Sequence, residues 1–427
     1  MSSLPEPLPV SRREVLAWAM YDWANSAYST LSITILVNYI QRVVFPDPRV
    51  GPTVWAWGIS ASMLAAAVLS PVLGALADAH ASKRFWLGAT ALPGAFCALL
   101  LALVPPSMSW TVTALFVLTA FFFELSLGFY NGFLPELADE RTMNRVSAWG
   151  FGLGYIGGGL ALVVAASLFT LGPRWGLSAS DQLRGGLVVM GLWWGLFSLP
   201  TLLVLRDRAA PRDAQKTLVA AGRQALAEVG RTLANVRAYR TLALFLLAFL
   251  FYNDGVQTVI TQASTFAIQE LEFQQTELIG LILMIQFVAF PGAMLVGWLS
   301  DRLGQKPALM LCLAIWIALV TGAWFVQEKW QFWILGAVVA LVMGGVQSVS
   351  RAIMGAMTPA SHSAEFFGFF NLSGKATSFM GTFLFGAVML KTGNPRQAIL
   401  SLLVLFLVGG ALASLVNVDR GRREAAG

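Results

Sequence analysis

Charge is scarce in this 427-residue chain. Asp, Glu, Lys and Arg make up 12% of it, about half the roughly 25% of a soluble globular protein. That shortage excludes a chain whose surface is mostly wetted. Cysteine and histidine are scarcer still. Cys97 and Cys312 fall in separate apolar runs, so no disulfide framework is expected. His80 and His362 are far apart in sequence, which argues against a metal site. There is no HExxH, no nucleophile elbow and no credible catalytic triad. An enzyme is therefore not expected, nor is a cofactor. No cleavable signal peptide is expected either, because residues 1–13 are polar and the first apolar stretch is too long for one and contains Asp22.

Hydrophobic residues, by contrast, make up 57% of the chain, with 15 Trp and 29 Phe. Runs long enough to span a bilayer, about 20 residues each, recur from end to end. Twelve are expected, near 16–44, 53–77, 86–105, 110–134, 147–171, 184–205, 241–266, 278–300, 307–326, 331–357, 366–390 and 397–417. The net charge of +6 is spread along the loops, not gathered into a nucleic-acid-binding patch. With the N-terminus in the cytoplasm, roughly nineteen Lys and Arg fall on the cytoplasmic side and roughly seven outside, as the positive-inside rule expects. Both termini are accordingly expected in the cytoplasm, and the surrounding lipid is expected to be the bacterial inner membrane.

The runs divide into six in 1–205 and six in 241–427, joined by a basic connection at 206–240. In the connection, Leu226, Val229, Leu233 and Val236 recur at helical spacing. This fits an amphipathic helix on the inner membrane surface and equally a solvated linker with partial helicity. The two halves look related. GALADAHASKR (74–84) follows the second run and GWLSDRLGQK (297–306) the eighth, each with Gly, three residues, Asp and then basic residues. Asp22 and Asn25 form Asp-x-x-Asn, and Asp254 and Gln257 form Asp-x-x-Gln. Such a repeat implies two pseudo-symmetric six-helix bundles with a site near the midplane between them.

The two loops resemble the major facilitator superfamily signature. Asp78, Lys83 and Arg84 match it in the first copy, and Asp301, Arg302, Gly304 and Lys306 in the second. The first copy departs from the pattern, with Ala79 in place of a basic residue and Ser82 near the usual Gly. YDWANSAY, NGFLPELA, YNDGVQT and the stretch GGVQSVSRAIMGAMTP…EFFGFFNLSGKATS further resemble the vacuole-effluxer-like family. The resemblance implies an all-α integral membrane protein of twelve transmembrane helices with the major facilitator fold. It also implies a secondary transporter and points to amino-acid export.

Two other motifs fail on context. Gly152, Gly154 and Gly157 spell GxGxxG, but within an apolar span they fit close helix packing better than a dinucleotide. GFFNLSGK (368–375) has the wrong glycine spacing for a phosphate loop and Ala376 where Ser or Thr would bind magnesium. Without an ATPase element, the energy must come from a gradient or from the substrate's own concentration difference.

Polar groups at membrane depth remain, and such groups are functional hypotheses by default. Asp22, Asn25, Tyr130, Asn131, Asn253, Asp254, Gln257, Gln347 and Lys375 are the candidate substrate-binding residues. Asp22 and Asn25 are expected to face the cavity, with Asp254 and Gln257 opposite. A zwitterionic amino acid needs carboxylates for its ammonium group and cations or amides for its carboxylate, and this set carries both. Glu124, an acidic residue deep in its span, is the candidate proton carrier. Asp78, Arg84, Asp301, Arg302 and Arg351 are the candidate gating residues, the two loop carboxylates capping a neighbouring helix or pairing with Arg. The plainer alternative is mutual neutralisation, in which Asp22 or Glu124 pairs with Arg351 or Lys375 only to hold the halves together. A proton-coupled exporter of drugs or other metabolites shares the fold. A non-transporting receptor or scaffold would need neither inter-bundle charges nor a duplicated loop.

Overall fold

The computed structural model describes residues 10–47, 50–139, 141–208, 239–273, 275–359, 362–375 and 378–426. Helices account for nearly all of these residues, and none is in a strand. The first half holds α1 (Arg12–Leu31), α2 (Val50–Ala79), α3 (Lys83–Leu103), α4 (Ser109–Gly132), α5 (Met143–Leu171) and α6 (Ala179–Val204). The second holds α7 (Arg240–Leu271), α8 (Gln275–Leu303), α9 (Gln305–Gly322), α10 (Lys329–Ala356), α11 (Ser363–Lys375) and α12 (Ser378–Thr392). It closes with α13 (Pro395–Ser401), α14 (Leu403–Leu415) and α15 (Val418–Ala426).

Among the described residues, ten helical stretches are long and apolar enough to cross a membrane. The two remaining expected spans are each interrupted. The stretch 16–44 forms α1 and then two π-helical segments, Ser32–Leu36 and Tyr39–Val44. The stretch 366–390 is divided between α11 and α12. The amphipathic helix expected around 226–236 lies outside the described residues.

Local chemistry accounts for the ends that matter here. Ser11 caps α1 through a reciprocal box, its hydroxyl accepting from Glu14 N–H and the Glu14 carboxylate accepting from Ser11 N–H at 3.0 Å. The α8–α9 turn needs a residue at positive φ, and Gly304 adopts φ 92° without a steric penalty. In the first copy of the loop Ala81 stands at φ 47°, a strain of about 1–2 kcal/mol for an L-residue.

Within the first half α1 packs on α5 and α6, and α4 on α2 and α3. Within the second, α7 packs on α14 and α8 on α10. The halves meet through α2 against α11 and through α5 against α8 and α10. Small residues permit those approaches. A Cβ on Gly74 would stand 2.5 Å from the Ala364 carbonyl oxygen, and one on Gly157 the same distance from the Trp23 carbonyl oxygen. The GxGxxG glycines therefore pack α5 against α1 and α8, as small residues do in membranes.

The start of α1 and the last helix lie at one end of the molecule. There Glu14 pairs with Arg208, whose N–H donates to Glu136. Glu424 accepts from Thr241, and Arg422 donates to Gln305. This is called the termini end below.

Candidate functional site

A cavity of about 580 Å³ lies between the halves. Its floor, toward the termini end, is built around a buried ion pair that joins them. Arg351, 2% exposed on α10, donates from Nη1 to Asp22 Oδ2 on α1 at 2.9 Å. The same nitrogen donates to Asn131 Oδ1 at 3.3 Å, while Nε and Nη2 donate to Ser147 Oγ and the Ser147 carbonyl at 3.0 and 2.6 Å. Tyr130 OH donates to Asp22 Oδ2 at 2.7 Å. The guanidinium also lies over the rings of Phe151 and Trp18, 3.9 and 4.8 Å from their centroids. A Cβ on Gly150 would stand 2.5 Å from Arg351 Nη2, so only glycine leaves room for the pair.

A buried charge pair recovers its desolvation cost only when its remaining donors and lone pairs are satisfied. Arg351 meets that condition on three sides and on two aromatic faces. Losing either partner would strand the other charge, a cost of about 3–5 kcal/mol. The pair thus holds the halves together and is also the cavity's main source of both signs of charge.

Above the floor the lining is largely apolar, with polar groups set into it from both halves. Asn25 and Glu124 contribute from the first half, and Asn253, Gln257 and Gln347 from the second. Tyr155 OH donates to Gln347 Oε1 at 2.6 Å, and Gln286 Nε2 donates to Thr30 Oγ1 at 2.8 Å; both bonds cross between halves. Asn25 and Asn371 also line the cavity, and their amide nitrogens are buried with no hydrogen-bond partner among the described residues. An idle buried donor costs stability unless an acceptor arrives.

Of the sequence candidates, Asp22, Asn25, Glu124, Asn131, Asn253, Gln257, Gln347 and Arg351 line this one cavity. Tyr130 reaches it through Asp22. Asp254 does not face Asp22. It is 1% exposed, and its Oδ2 accepts from Gly381 N–H of α12 at 2.7 Å. The reason is helical geometry. Asn253 and Gln257, four apart, share the cavity face, whereas Asp254 is turned from Asn253 by about 100°. Lys375 is the last residue of α11, and its side chain lies outside what the structure describes.

Of the candidate gating residues, the two loop carboxylates bridge the halves. Asp78, at the end of α2, accepts from Ala364 and Glu365 N–H at 3.2 and 3.0 Å and so caps α11. Lys83, fully buried, stands 3.6 Å from Asp78, contacts Glu136 and donates to Ser363 Oγ at 2.7 Å. Asp301, at the end of α8, accepts from Asn144 Nδ2 of α5 at 3.0 Å, and Asn144 Oδ1 accepts from Gln305 at 2.8 Å. Two arginines expected at the gate serve elsewhere. Arg84 donates to the Leu205 carbonyl within its own half, and Arg302 stacks on Trp298 one turn back on α8. Exposed guanidinium groups at a helix end find nearby carbonyls and rings more readily than a partner across an interface. Burial pushes the Asp207 carboxyl, beside Arg84 in the same cluster, above the usual carboxylate range.

Sequence reasoning passed over Tyr155, Gln286, Asn371, Ser147 and Glu136. Each except Glu136 is a polar residue set within an apolar run, which was the available signal. Glu136 stood in the quoted NGFLPELA.

The family described as vacuole effluxer Atg22-like matches residues 54–426. The uncharacterised MFS-type transporter YxiO of Bacillus subtilis is 32% identical over 409 residues, covering 94% of each chain. Autophagy-related protein 22 of Coccidioides immitis is 26% identical, over 98% of this chain and 88% of that one. Among solved structures, the proton:xylose symporter XylE superposes with a TM-score of 0.72 at 13% identity, over 95% of each chain. That likeness speaks to the fold alone. Matched over most of its length, with the major facilitator fold and a cavity held between its halves, the chain belongs to the vacuole effluxer Atg22-like family of membrane transporters.

Proposed function

We propose that the protein is a secondary active transporter that works by alternating access and exports amino acids or similar small zwitterions. In this reading it sits in the bacterial inner membrane with both termini in the cytoplasm. The observation that carries the proposal is the cavity floor, where a carboxylate and a guanidinium face one solvent-sized space beside two idle amide donors. An α-ammonium group competes with Arg351 for Asp22, and an α-carboxylate takes Arg351 together with the Asn25 and Asn371 amides. A sugar offers neither charge, and a lipophilic cation offers only one. The name of the matched family, a vacuole effluxer, supports a transport function.

The engaged carboxylates Asp78 and Asp301 sit at the termini end, so in this reading the described state is closed to the cytoplasm. When a zwitterion divides the Asp22–Arg351 pair, the floor loses its strongest bond between halves, and the two loop contacts become the remaining hold on that side.

The test is counterflow of a radiolabelled amino-acid panel in proteoliposomes, with a pH gradient imposed and then collapsed. Saturable exchange of at least one amino acid is expected. Exchange of uncharged or purely cationic compounds alone would point to the metabolite or drug exporter instead. Glu124 lines the cavity and is the proposed proton-coupling group. Glu124→Gln is expected to remove the acceleration of uptake by an imposed pH gradient while leaving counterflow measurable. Undiminished acceleration in that variant removes Glu124 from the coupling step.

A further inference from the structure

We propose that Asp254 is a proton-binding site, separate from the cavity and buried where α7 packs on α12. This inference goes beyond the transport reading and needs that reading only for its consequence. Asp254 and Thr258 are four residues apart on α7 and each is 1% exposed. Residues so spaced lie one above the other on a helix. Asp254 Oδ2 accepts from Gly381 N–H at 2.7 Å. Asp254 Oδ1 and Thr258 Oγ1 are both buried without a well-formed hydrogen bond among the described residues, although the Thr258 hydroxyl is near enough to give the carboxylate some support.

The surroundings give an ionised carboxylate little support. Phe406 of α14 packs against Gly255, beside Asp254. The hydroxyl of Tyr252 is taken up with Ser350 of α10, and Cys312 of α9 is near enough to interact with Tyr252. Asn253 Nδ2 donates to the Gly374 carbonyl of α11, and Phe249 stacks on Phe370 of the same helix. No charged side chain of the described residues acts on Asp254. Lys375 ends α11, and its side chain lies outside the described residues.

A carboxylate with an idle oxygen in such a setting sheds its desolvation cost by taking up a proton. The new O–H then donates to Thr258 Oγ1, reversing the direction in which that hydroxyl supports the ionised form. Among the described residues no group of three or more His, Cys, Asp or Glu is placed to hold a metal ion, whereas a proton needs no such set. Releasing that proton restores a charge that only water or a cation can stabilise. The proton therefore leaves when α7 and α12 part, so its occupancy reports and favours the packed arrangement of the second half.

Infrared spectroscopy of the full-length protein across a pH series reads the site without any substrate. Wild type is expected to show the band of a protonated carboxyl toward the acidic end of the series, and Asp254→Asn to lack it, while Glu124→Gln keeps it. Identical spectra in wild type and Asp254→Asn overturn the proposal, as does an Asp254 ionised against Lys375, which gives no such band. Should Asp254→Asn fail to fold, Thr258→Val serves. It leaves the carboxyl and removes its acceptor, so the band is expected to shift in frequency, and an unshifted band counts against the site.

The functional arm is counterflow at equal pH on both sides. Wild-type exchange is expected to fall on the alkaline side, where Asp254 gives up its proton. In Asp254→Asn, which mimics the neutral form, the profile is expected to be flat. Superimposable profiles overturn the coupling. If no amino acid exchanges at all, the transport reading fails and the infrared arm still decides whether Asp254 holds a proton.

Discussion

Replacing Asp22 with Asn is expected to lower amino-acid counterflow by about 100-fold and to lower thermal stability while leaving membrane insertion intact. The neutral residue is cheaper in lipid than the carboxylate, so insertion does not suffer. What is lost is the negative charge to which Arg351 Nη1 and Tyr130 OH donate. Stranding Arg351 costs about 3–5 kcal/mol, and each 1.4 kcal/mol is a factor of ten in an equilibrium. Both the resting closure and the ammonium site fail together, which is why the effect is large. A double-mutant cycle with Arg351→Gln separates structure from binding. The double variant is expected to regain most of the thermal stability lost in either single variant, because no charge is stranded, yet to remain inactive. Counterflow near the wild-type rate in Asp22→Asn would mean that the ion pair only braces the halves.

The second large effect is expected at Gly74. A Cβ there would meet the Ala364 carbonyl oxygen at 2.5 Å, its carbon at 2.6 Å and Glu365 N at 2.8 Å. All three are backbone atoms at the start of α11, where Asp78 makes its cap, and backbone cannot yield as a flexible side chain does. Gly74→Leu thus prevents α2 from seating on α11. An overpacked contact costs about 1–3 kcal/mol, and here the only relief is separation of the halves at the termini end. The variant is expected to lose exchange by at least about tenfold. A reporter cysteine at Ser363, buried against Lys83 in the wild type, is expected to resist a membrane-impermeant thiol reagent there and to react quickly when Gly74→Leu is added. A reporter equally protected in both backgrounds would show that this contact does not gate access. Asp78→Asn is expected to act in the same direction but more weakly, since a charge at a helix N-terminus contributes only about 0.3–1 kcal/mol.

Much of this was legible in the sequence. Apolar run lengths marked the spans, because a bilayer fixes how many residues a helix needs to cross it. The duplicated Gly-x-x-x-Asp loop marked both carboxylates that bridge the halves, because glycine and carboxylate are one helical turn apart at a tight interface: Gly74 makes the approach and Asp78 caps what has approached. Asp22 was legible because an unpaired charge in lipid has to find a partner or a purpose.

Less legible was the direction in which a side chain points. Asp254 and Gln257 read as the counterpart of Asp22 and Asn25, yet on α7 it is Asn253 that shares the cavity with Gln257, and Asp254 turns to Gly381. An offset of one residue on a helix changes the face, and a repeat weakened to Asp-x-x-Gln did not fix the register. Arg84 and Arg302 mislead for a different reason. A motif fixes where a long side chain starts and not where it ends, and each found a partner in its own half. Asn371 stands inside GFFNLSGK, a stretch weighed as a phosphate loop, so its amide was passed over.

The most direct test of the account is a distance between the halves at the termini end. Spin labels on cysteines introduced at Arg145, at the start of α5, and Leu303, at the end of α8, occupy exposed positions on the two sides of the Asp301–Asn144 contact. In wild type the account predicts a short, narrow distance distribution that broadens to a longer one when a transported amino acid is added, and no change on addition in Asp22→Asn. A wild-type distribution that stays the same with and without the amino acid would contradict it.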